Sequence, residues 1–493
     1  MKNYQNYIGG KWVPSPSGKT FEDRNPARWE EIIGTFPRST PEDVDRAVSA
    51  AKEAFESWRL VPAPRRGDIV RKAGDIMSAR KEDIAREMTR EMGKVVEEAR
   101  GDVQEGIDTA YYAASEGRRL FGVIAPSELS NKFNMAVRVP VGVCGLITPW
   151  NFPMAIPTWK IFPALVSGNT VIFKPAEDTP ATATTLVEIL IEAGIPAGVL
   201  NLVHGYGPEA GAALVEHAGV DLISFTGSTE VGRKIAEACG RTGKRVALEM
   251  GGKNAQIVME DADLELALEG ILWGAFGTTG QRCTATSRLI VHEGVYNKFI
   301  NMVVEKSKTL RIGDGLDEKS DVGPLINEQQ LQTVQKYVEI GRQEGAKVLL
   351  GGVRDDSGEC GKGYFFKPTI LSDVLPGMRV EKEEIFGPVL AIIKVRSLDE
   401  AIRVANDTQY GLSSSIYTKD INKAFQAIRD LRAGITYVNA PTIGAEAHMP
   451  FGGVKGTGNG HREGGWTVFD IFTEWKAVYV DYSGKLQRAQ IDL

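Results

Sequence analysis

Cysteine is scarce in this chain. Four are scattered over 493 residues, at Cys144, Cys239, Cys283 and Cys360, with no CxxC pair. That spacing excludes a disulfide framework and a clustered thiolate zinc site, so no metal centre is expected. Isolated thiols fit a reducing compartment. Histidine is nearly as rare, at His204, His217, His292, His448 and His461. None sits where it stands out as a base, so a cysteine–histidine hydrolase lacks support. No apolar run is long enough to span a membrane. Met1 to Gly10 lacks the basic-then-apolar start of a secretory signal, and the expected location is cytoplasmic. The net charge is only −6, which argues against the basic surface that a nucleic-acid partner requires. There is no low-complexity tract, no obvious repeat and no clean GxGxxG.

What is present is ordinary globular composition, 42% hydrophobic and 25% charged, over a length that calls for two or three domains. The 54 glycines often follow apolar runs, where α/β folds bring backbone close to ligand. Thr40 to Trp58 reads as an amphipathic helix with Pro41 in its first turn. From Val141 to Met259, short apolar runs at Val143–Ile147, Thr170–Phe173, Leu200–Val203, Leu222–Phe225, Arg245–Leu248 and Ala255–Val258 alternate with helical stretches such as Ala181–Ala193 and Glu230–Cys239. This pattern predicts a parallel sheet covered on both faces. A second α/β block is expected from Asp261 to about Gly453, with a capping box at Ser397–Glu400 and a strand over Gly411–Thr418. Asn134–Val141 and Thr473–Val480 alternate like strands but are remote in sequence. Long exposed edges need cover, which points to oligomerisation.

Several segments carry chemistry. Phe225-Thr-Gly227-Ser228 follows an apolar run and opens a helix, so its backbone N–H groups and hydroxyl suit a pyrophosphate; an ordinary βα turn reads the same way. Gly205-Tyr-Gly207-Pro-Glu-Ala-Gly211 is one residue too long for the standard fingerprint. Lys174 and Glu177 follow a strand and suit ribose hydroxyls, or form a surface ion pair. Cys283 stands among polar neighbours beside Arg282, a setting expected to favour the thiolate. Glu249 lies between Leu248 and Met250, where desolvation raises its pKa toward that of a useful base. Asn151, flanked by Pro149 and Pro153, can offer its amide to an oxyanion or serve as a turn residue.

Jointly and in order, these segments resemble the aldehyde dehydrogenase superfamily over nearly the whole chain. The motifs are Thr148-Pro-Trp-Asn-Phe-Pro153, Lys174-Pro-Ala-Glu177, Phe225-Thr-Gly-Ser-Thr-Glu-Val-Gly232, Leu248-Glu-Met-Gly-Gly-Lys253, Gly280-Gln-Arg-Cys283, Glu383-Glu-Ile-Phe-Gly-Pro388 and Pro450-Phe-Gly-Gly453. The resemblance implies an α/β fold with a Rossmann-type cofactor domain (1–121 and 141–251), an α/β catalytic domain (252–452), a return segment (453–469) and a β oligomerisation arm (122–140 and 470–493). The two remote strands would then pair with each other and extend a partner's sheet in a homodimer or homotetramer.

The same resemblance implies aldehyde oxidation with NAD or NADP. Cys283 would be the nucleophile, Glu249 the base for thioester hydrolysis, and Asn151 with the Cys283 N–H the oxyanion donors. Ile147, Thr148, Trp150, Lys174, Glu177, Gly207, Gly211, Phe225, Gly227, Ser228, Gly251, Glu384 and Phe386 fall to the cofactor side, with Glu249 shared. Glu249 also favours hydrolysis over transfer to coenzyme A. Arg282 and Thr284, with the Ala445–Pro450 loop that carries His448, look like the branch acting on semialdehydes such as α-ketoglutaric semialdehyde. A distal substrate carboxylate would meet Arg282 and His448. Alternatively, Arg282 turns to a structural partner and the pocket is apolar, lined by Phe152, Trp159 and Phe451.

Overall fold

The structure is a computed structural model that describes residues 2–491. Two seven-stranded sheets dominate it. In the first, the spatial order runs Arg245–Glu249, Leu222–Thr226, Val143–Ile147, Thr170–Lys174, Leu200–Leu202, all parallel. The order reverses beside Val143–Ile147, and ligands of such sheets bind outside the strands' carboxyl ends at that switch point. Two further strands, Asn6–Ile8 and Lys11–Val13, extend this sheet antiparallel at its far edge. The sheet is therefore mixed, not purely parallel as the apolar runs predict. Those added strands are only three residues long, too short to carry a periodic signal.

Burial explains the apolar runs. Val171, Ile172 and Phe173 are all fully inaccessible, as expected for a strand with helices on both faces. The helix Ala155–Ser167 is buried along its whole length, so it packs on more than one side.

The second sheet runs Lys347–Leu350, Thr369–Ser372, Val389–Val395, Thr286–His292, Asn254–Val258, Ser413–Tyr417, Ile435–Val438, parallel except for its first strand. One expectation is corrected here. The run Ala255–Val258, grouped by sequence with the first block, pairs with Thr286–His292 and Ser413–Tyr417 in the second sheet. The Met250–Lys253 link crosses between sheets within four residues, and the apolar pattern carries no mark of it.

This crossing decides where the site lies. Glu249 ends a strand of the first sheet, while Asn254 begins one of the second. The carboxyl ends of the first sheet thus face the amino ends of the second. The remote segments Lys132–Pro140 and Thr473–Asp481 pair antiparallel over nine residues, and Val123–Pro126 adds a third strand. Their sheet exposes Ile124, Trp475 and Tyr479 to solvent.

Arg288 ties the second sheet together. It is buried and donates to Glu381 and to the carbonyls of Lys253, Val404 and Ala405. Breaking a buried ion pair by removing one partner costs about 3–5 kcal/mol, because the other charge stays uncompensated. Arg288→Leu should lower stability to denaturant by that order, with Arg288→Lys recovering only part, since lysine cannot reproduce the planar fork. A loss below about 1 kcal/mol would show that Glu381 finds water instead.

Candidate active site

The seam between the sheets holds a cavity of about 360 Å³, lined among others by Phe152, Trp159, Glu249, Arg282, Cys283, Thr284 and Phe451. Its inner wall is apolar. Trp159 and Phe451 lie 4.7 Å apart between ring centres and pack with Ile156 and Leu412.

Cys283 reaches this cavity from a constrained turn. Thr278 and Thr279 carry φ of 51° and 57°, and Gly280 68°. That region disfavours β-branched residues, so local contacts must hold it. The Glu98 carboxylate accepts the Thr278 N–H at 2.7 Å, and the Thr279 hydroxyl donates to the Gly323 carbonyl. Gly280 cannot be anything larger, because a Cβ there would lie 2.2 Å from the Gly387 carbonyl oxygen. Asn254 Nδ2 donates to the carbonyls of Cys283 and Ala285, tying the loop to the second sheet.

The electrostatics of the thiol differ from the expectation drawn from Arg282. Burial, then Glu384 and Glu249, push the Cys283 thiol up to about 12. The Arg282 guanidinium is occupied elsewhere: it pairs with Glu98 at 3.0 Å, donates to the Thr278 hydroxyl and lies over the Phe152 and Trp273 rings. Adjacency in sequence did not bring charge to sulfur.

Asn151 sits in the loop between Val143–Ile147 and the helix Ala155–Ser167. Its Nδ2 donates to the Gln281 carbonyl at 3.0 Å, placing it against the cysteine loop, and its backbone carbonyl accepts from Lys94 Nζ at 2.7 Å. Lys94 also pairs with Asp102, whose other oxygen accepts the Ala155 N–H at the helix start. Both side chains are inaccessible.

Glu249 ends its strand with both carboxyl oxygens buried and unpartnered. Burial, then the charge of Glu463, raises its pKa well above the usual carboxylate value. Glu463 is itself buried and joined to Lys160, which also donates to Ser224 Oγ at 3.0 Å.

The dinucleotide candidates flank the switch point. The Thr148 N–H donates to the Lys174 carbonyl from beside Ile147, and its hydroxyl is buried without a partner. Trp150 and Phe386 meet edge to face at 5.4 Å. Gly251 is required beside Glu384: a Cβ would lie 2.1 Å from its carboxylate, which accepts from the Gly252 N–H. Burial raises Glu384 to about 7. The Gly227 N–H donates to the Glu249 carbonyl near the Phe225 ring, and the Ser228 hydroxyl caps the helix Thr229–Thr242. Lys174 and Glu177 form an ion pair at 2.9 Å. Gly207 and Gly211 bound a short helical turn where a Cβ would meet open space. An orphaned hydroxyl, a glycine cradle and an acid at the strand ends fit a dinucleotide.

His448 stands apart. It is exposed, pairs with Glu446 at 3.4 Å and lines an outer groove that adjoins the cavity. Sequence reasoning also missed Lys94, Glu98, Asp102, Lys160 and Glu463. The first three share a local signal, since Glu98 and Asp102 recur on one helical face just after Lys94. Glu463 carries none.

The sequence profile described as the aldehyde dehydrogenase family matches residues 12–478. An α-ketoglutaric semialdehyde dehydrogenase of Bacillus subtilis is 46% identical over 97% of this chain and 98% of its own. A D-glyceraldehyde dehydrogenase (NADP(+)) of Picrophilus torridus is 41% identical over 97% of this chain and 96% of its own. Among solved structures, betaine aldehyde dehydrogenase of Staphylococcus aureus in complex with NAD+ superposes with a TM-score of 0.95 at 35% identity, covering 98% of this chain and 95% of that one. This chain belongs to the aldehyde dehydrogenase family and is an NAD(P)-dependent enzyme that oxidises an aldehyde to its carboxylic acid.

Proposed function

We propose that the enzyme oxidises a semialdehyde carrying a distal carboxylate, with Cys283, Glu249 and Asn151 as its catalytic residues. The observation that carries the substrate class is Arg282. Among the described residues it is the one basic side chain lining the cavity that reaches Cys283. Its Nε and one terminal nitrogen are held by Thr278 and Glu98, while no bond engages the other terminal nitrogen. A guanidinium anchored by one edge can offer its free edge to a carboxylate in a charge-assisted pair. The names of relatives handling α-ketoglutaric semialdehyde and 2,5-dioxopentanoate support this reading. His448 belongs, in the same reading, to the outer approach.

The reaction follows from the same residues. Cys283 sulfur, after losing its proton to solvent water, bonds to the aldehyde carbon and shifts the carbonyl electron pair to oxygen. Asn151 Nδ2 has one N–H left after Gln281, and with the Cys283 N–H it stabilises that oxyanion. A bound nicotinamide would accept the hydride leaving this carbon, and the product on Cys283 is a thioester. Glu249 then takes a proton from water, which attacks the thioester and frees the acid and the thiol. Its raised pKa leaves Glu249 protonated at low pH, so the fraction available as base, and hydrolysis with it, grows as pH rises. Glu384, Trp150, Phe386, Gly251, Thr148, Ile147, Lys174, Glu177, Phe225, Gly227 and Ser228 would hold the cofactor, with Gly207 and Gly211 at its adenine side. Phe152, Trp159, Thr284 and Phe451 would surround the aldehyde.

The domain division is assigned as 1–121 with 141–251 for the cofactor, 252–452 for catalysis, 453–469 for the return and 122–140 with 470–493 for the arm. The apolar groups exposed on the arm support a homodimer or homotetramer. No helix among the described residues is long and apolar enough to cross a membrane. All four cysteines are free, which supports a reducing, cytoplasmic setting.

Three outcomes test these assignments. Glu249→Gln should preserve a pre-steady-state burst of reduced cofactor while steady turnover falls at least about 100-fold, within the usual range for a general base. Equal loss of both would move Glu249 to an earlier step. Arg282→Leu should lower kcat/KM for a semialdehyde at least about tenfold, as expected from losing a bond of roughly 1.5–3 kcal/mol, with a neutral aldehyde of equal length affected far less. Uniform loss across substrates would assign Arg282 to holding the Thr278 turn alone. Glu177→Ser should raise NADP relative to NAD, since the charge opposing a 2′-phosphate disappears and Lys174 is freed; an unchanged ratio would place Glu177 outside the ribose contacts.

A further inference from the structure

Four carboxyl residues of the helix Val96–Glu116 line the cavity, at Glu97, Glu98, Asp102 and Glu105. Three have a cation each: Glu97 holds Arg100, Glu98 holds Arg282 and Asp102 holds Lys94. The fourth, Glu105, has none among the described residues. Among those residues no hydrogen bond or ion pair reaches the Glu105 carboxyl group; the Thr109 hydroxyl bonds to the Glu105 backbone carbonyl instead.

Glu105 also occupies a particular place. It lines both the inner cavity with Cys283 and the outer groove that carries His448, as do Gly101 and Ala445. It therefore stands at the neck where cavity and groove meet, on the same helix as Glu98, which holds Arg282.

Its surroundings are mostly acidic. Asp102 and Asp108 come from its own helix, Glu446 and His448 from the facing loop, and Tyr437 from the strand Ile435–Val438. Lys94 and Arg282 face it too, but each is already paired. An ionised Glu105 would thus add an unpaired charge to a neck holding Asp108 and Glu446. Its neutral acid is a hydrogen-bond donor with nothing inside the protein to donate to.

We propose that Glu105 is a specificity-determining residue whose neutral carboxyl group donates a hydrogen bond to the distal carboxylate held by Arg282, and whose ionisation turns that donor into a repelling charge. This inference rests on the semialdehyde reading above. Burial, then Asp102, raises the Glu105 pKa to about 8, against the lowering pull of Arg282 and Lys94. The sign follows: below that pH the acid is protonated and the anionic tail binds, and above it binding is lost.

The test is the pH dependence of KM for α-ketoglutaric semialdehyde, with pentanal as the neutral substrate of equal chain length. With only the neutral form competent, the competent fraction falls from roughly nine-tenths at pH 7 to one-tenth at pH 9, so KM should rise about tenfold. KM for pentanal should stay flat, while the ionisations of Cys283 and Glu249 appear in kcat for both. Glu105→Gln keeps a donor that never ionises and should abolish the rise. Glu105→Leu should give a higher KM for the semialdehyde that no longer varies with pH. If Glu105→Gln retains the wild-type rise, or pentanal shows the same rise, this inference alone is overturned. If the wild type at pH 7 does not prefer the semialdehyde and Arg282→Leu leaves that ratio unchanged, both the inference and the reading beneath it fall.

Discussion

A single buried ammonium group holds the reacting side of this enzyme in place. Lys94 Nζ bridges the Asp102 carboxylate and the Asn151 carbonyl, 3.9 Å above the Phe152 ring. Through Asp102 it also fixes the first N–H of the helix Ala155–Ser167. Desolvating two charges is costly, and geometry of this quality is what offsets it. The result is that Asn151, the aromatic wall and the cysteine loop share one anchor. Asn151 binds Gln281, and Gln281 in turn accepts the Ile326 N–H and donates to the Pro324 carbonyl. Loosening Lys94 would therefore disturb all of these together.

The fold was legible wherever one strand or helix carries its own pattern. The apolar runs of the first sheet were found within a residue or two, because strands buried on both faces read as continuous hydrophobic segments. The arm strands, remote in sequence, were legible as alternating segments and do pair. The sheet to which Asn254–Val258 belongs was not legible in the apolar pattern, since a buried parallel strand looks the same in either sheet; only the family resemblance, with its boundary at 251/252, put it with the second block. The short strands at Asn6 and Lys11 gave no period to detect.

The site divides along the same line. Cys283 stood out as a thiol among polar neighbours, Glu249 as an acid between apolar ones, and Asn151 as an amide held between prolines. Arg282 was visible, but its direction was not: the choice between sulfur and Glu98 depends on a helix 184 residues away in the chain. Lys160 meets Glu463 across 303 residues, and neither has a local context that hints at the other. Motifs report which chemistry is present, whereas electrostatic partners are a property of tertiary packing.

The opposed arrangement of the two sheets also sets the direction of the field across the cleft. At the first sheet's carboxyl edge, helices such as Thr229–Thr242 and Ala155–Ser167 begin, so their positive ends point inward. At the second sheet's amino edge, the helix Leu264–Phe276 ends and runs straight into the turn before Cys283, so its negative end lies there. An anion at the first sheet's edge would thus meet attraction, while the turn that leads to Cys283 starts from the negative end of its helix. The resting protein keeps its sulfur protonated, chiefly through burial and the charges of Glu384 and Glu249, and a protonated thiol reacts slowly with oxidants and stray electrophiles.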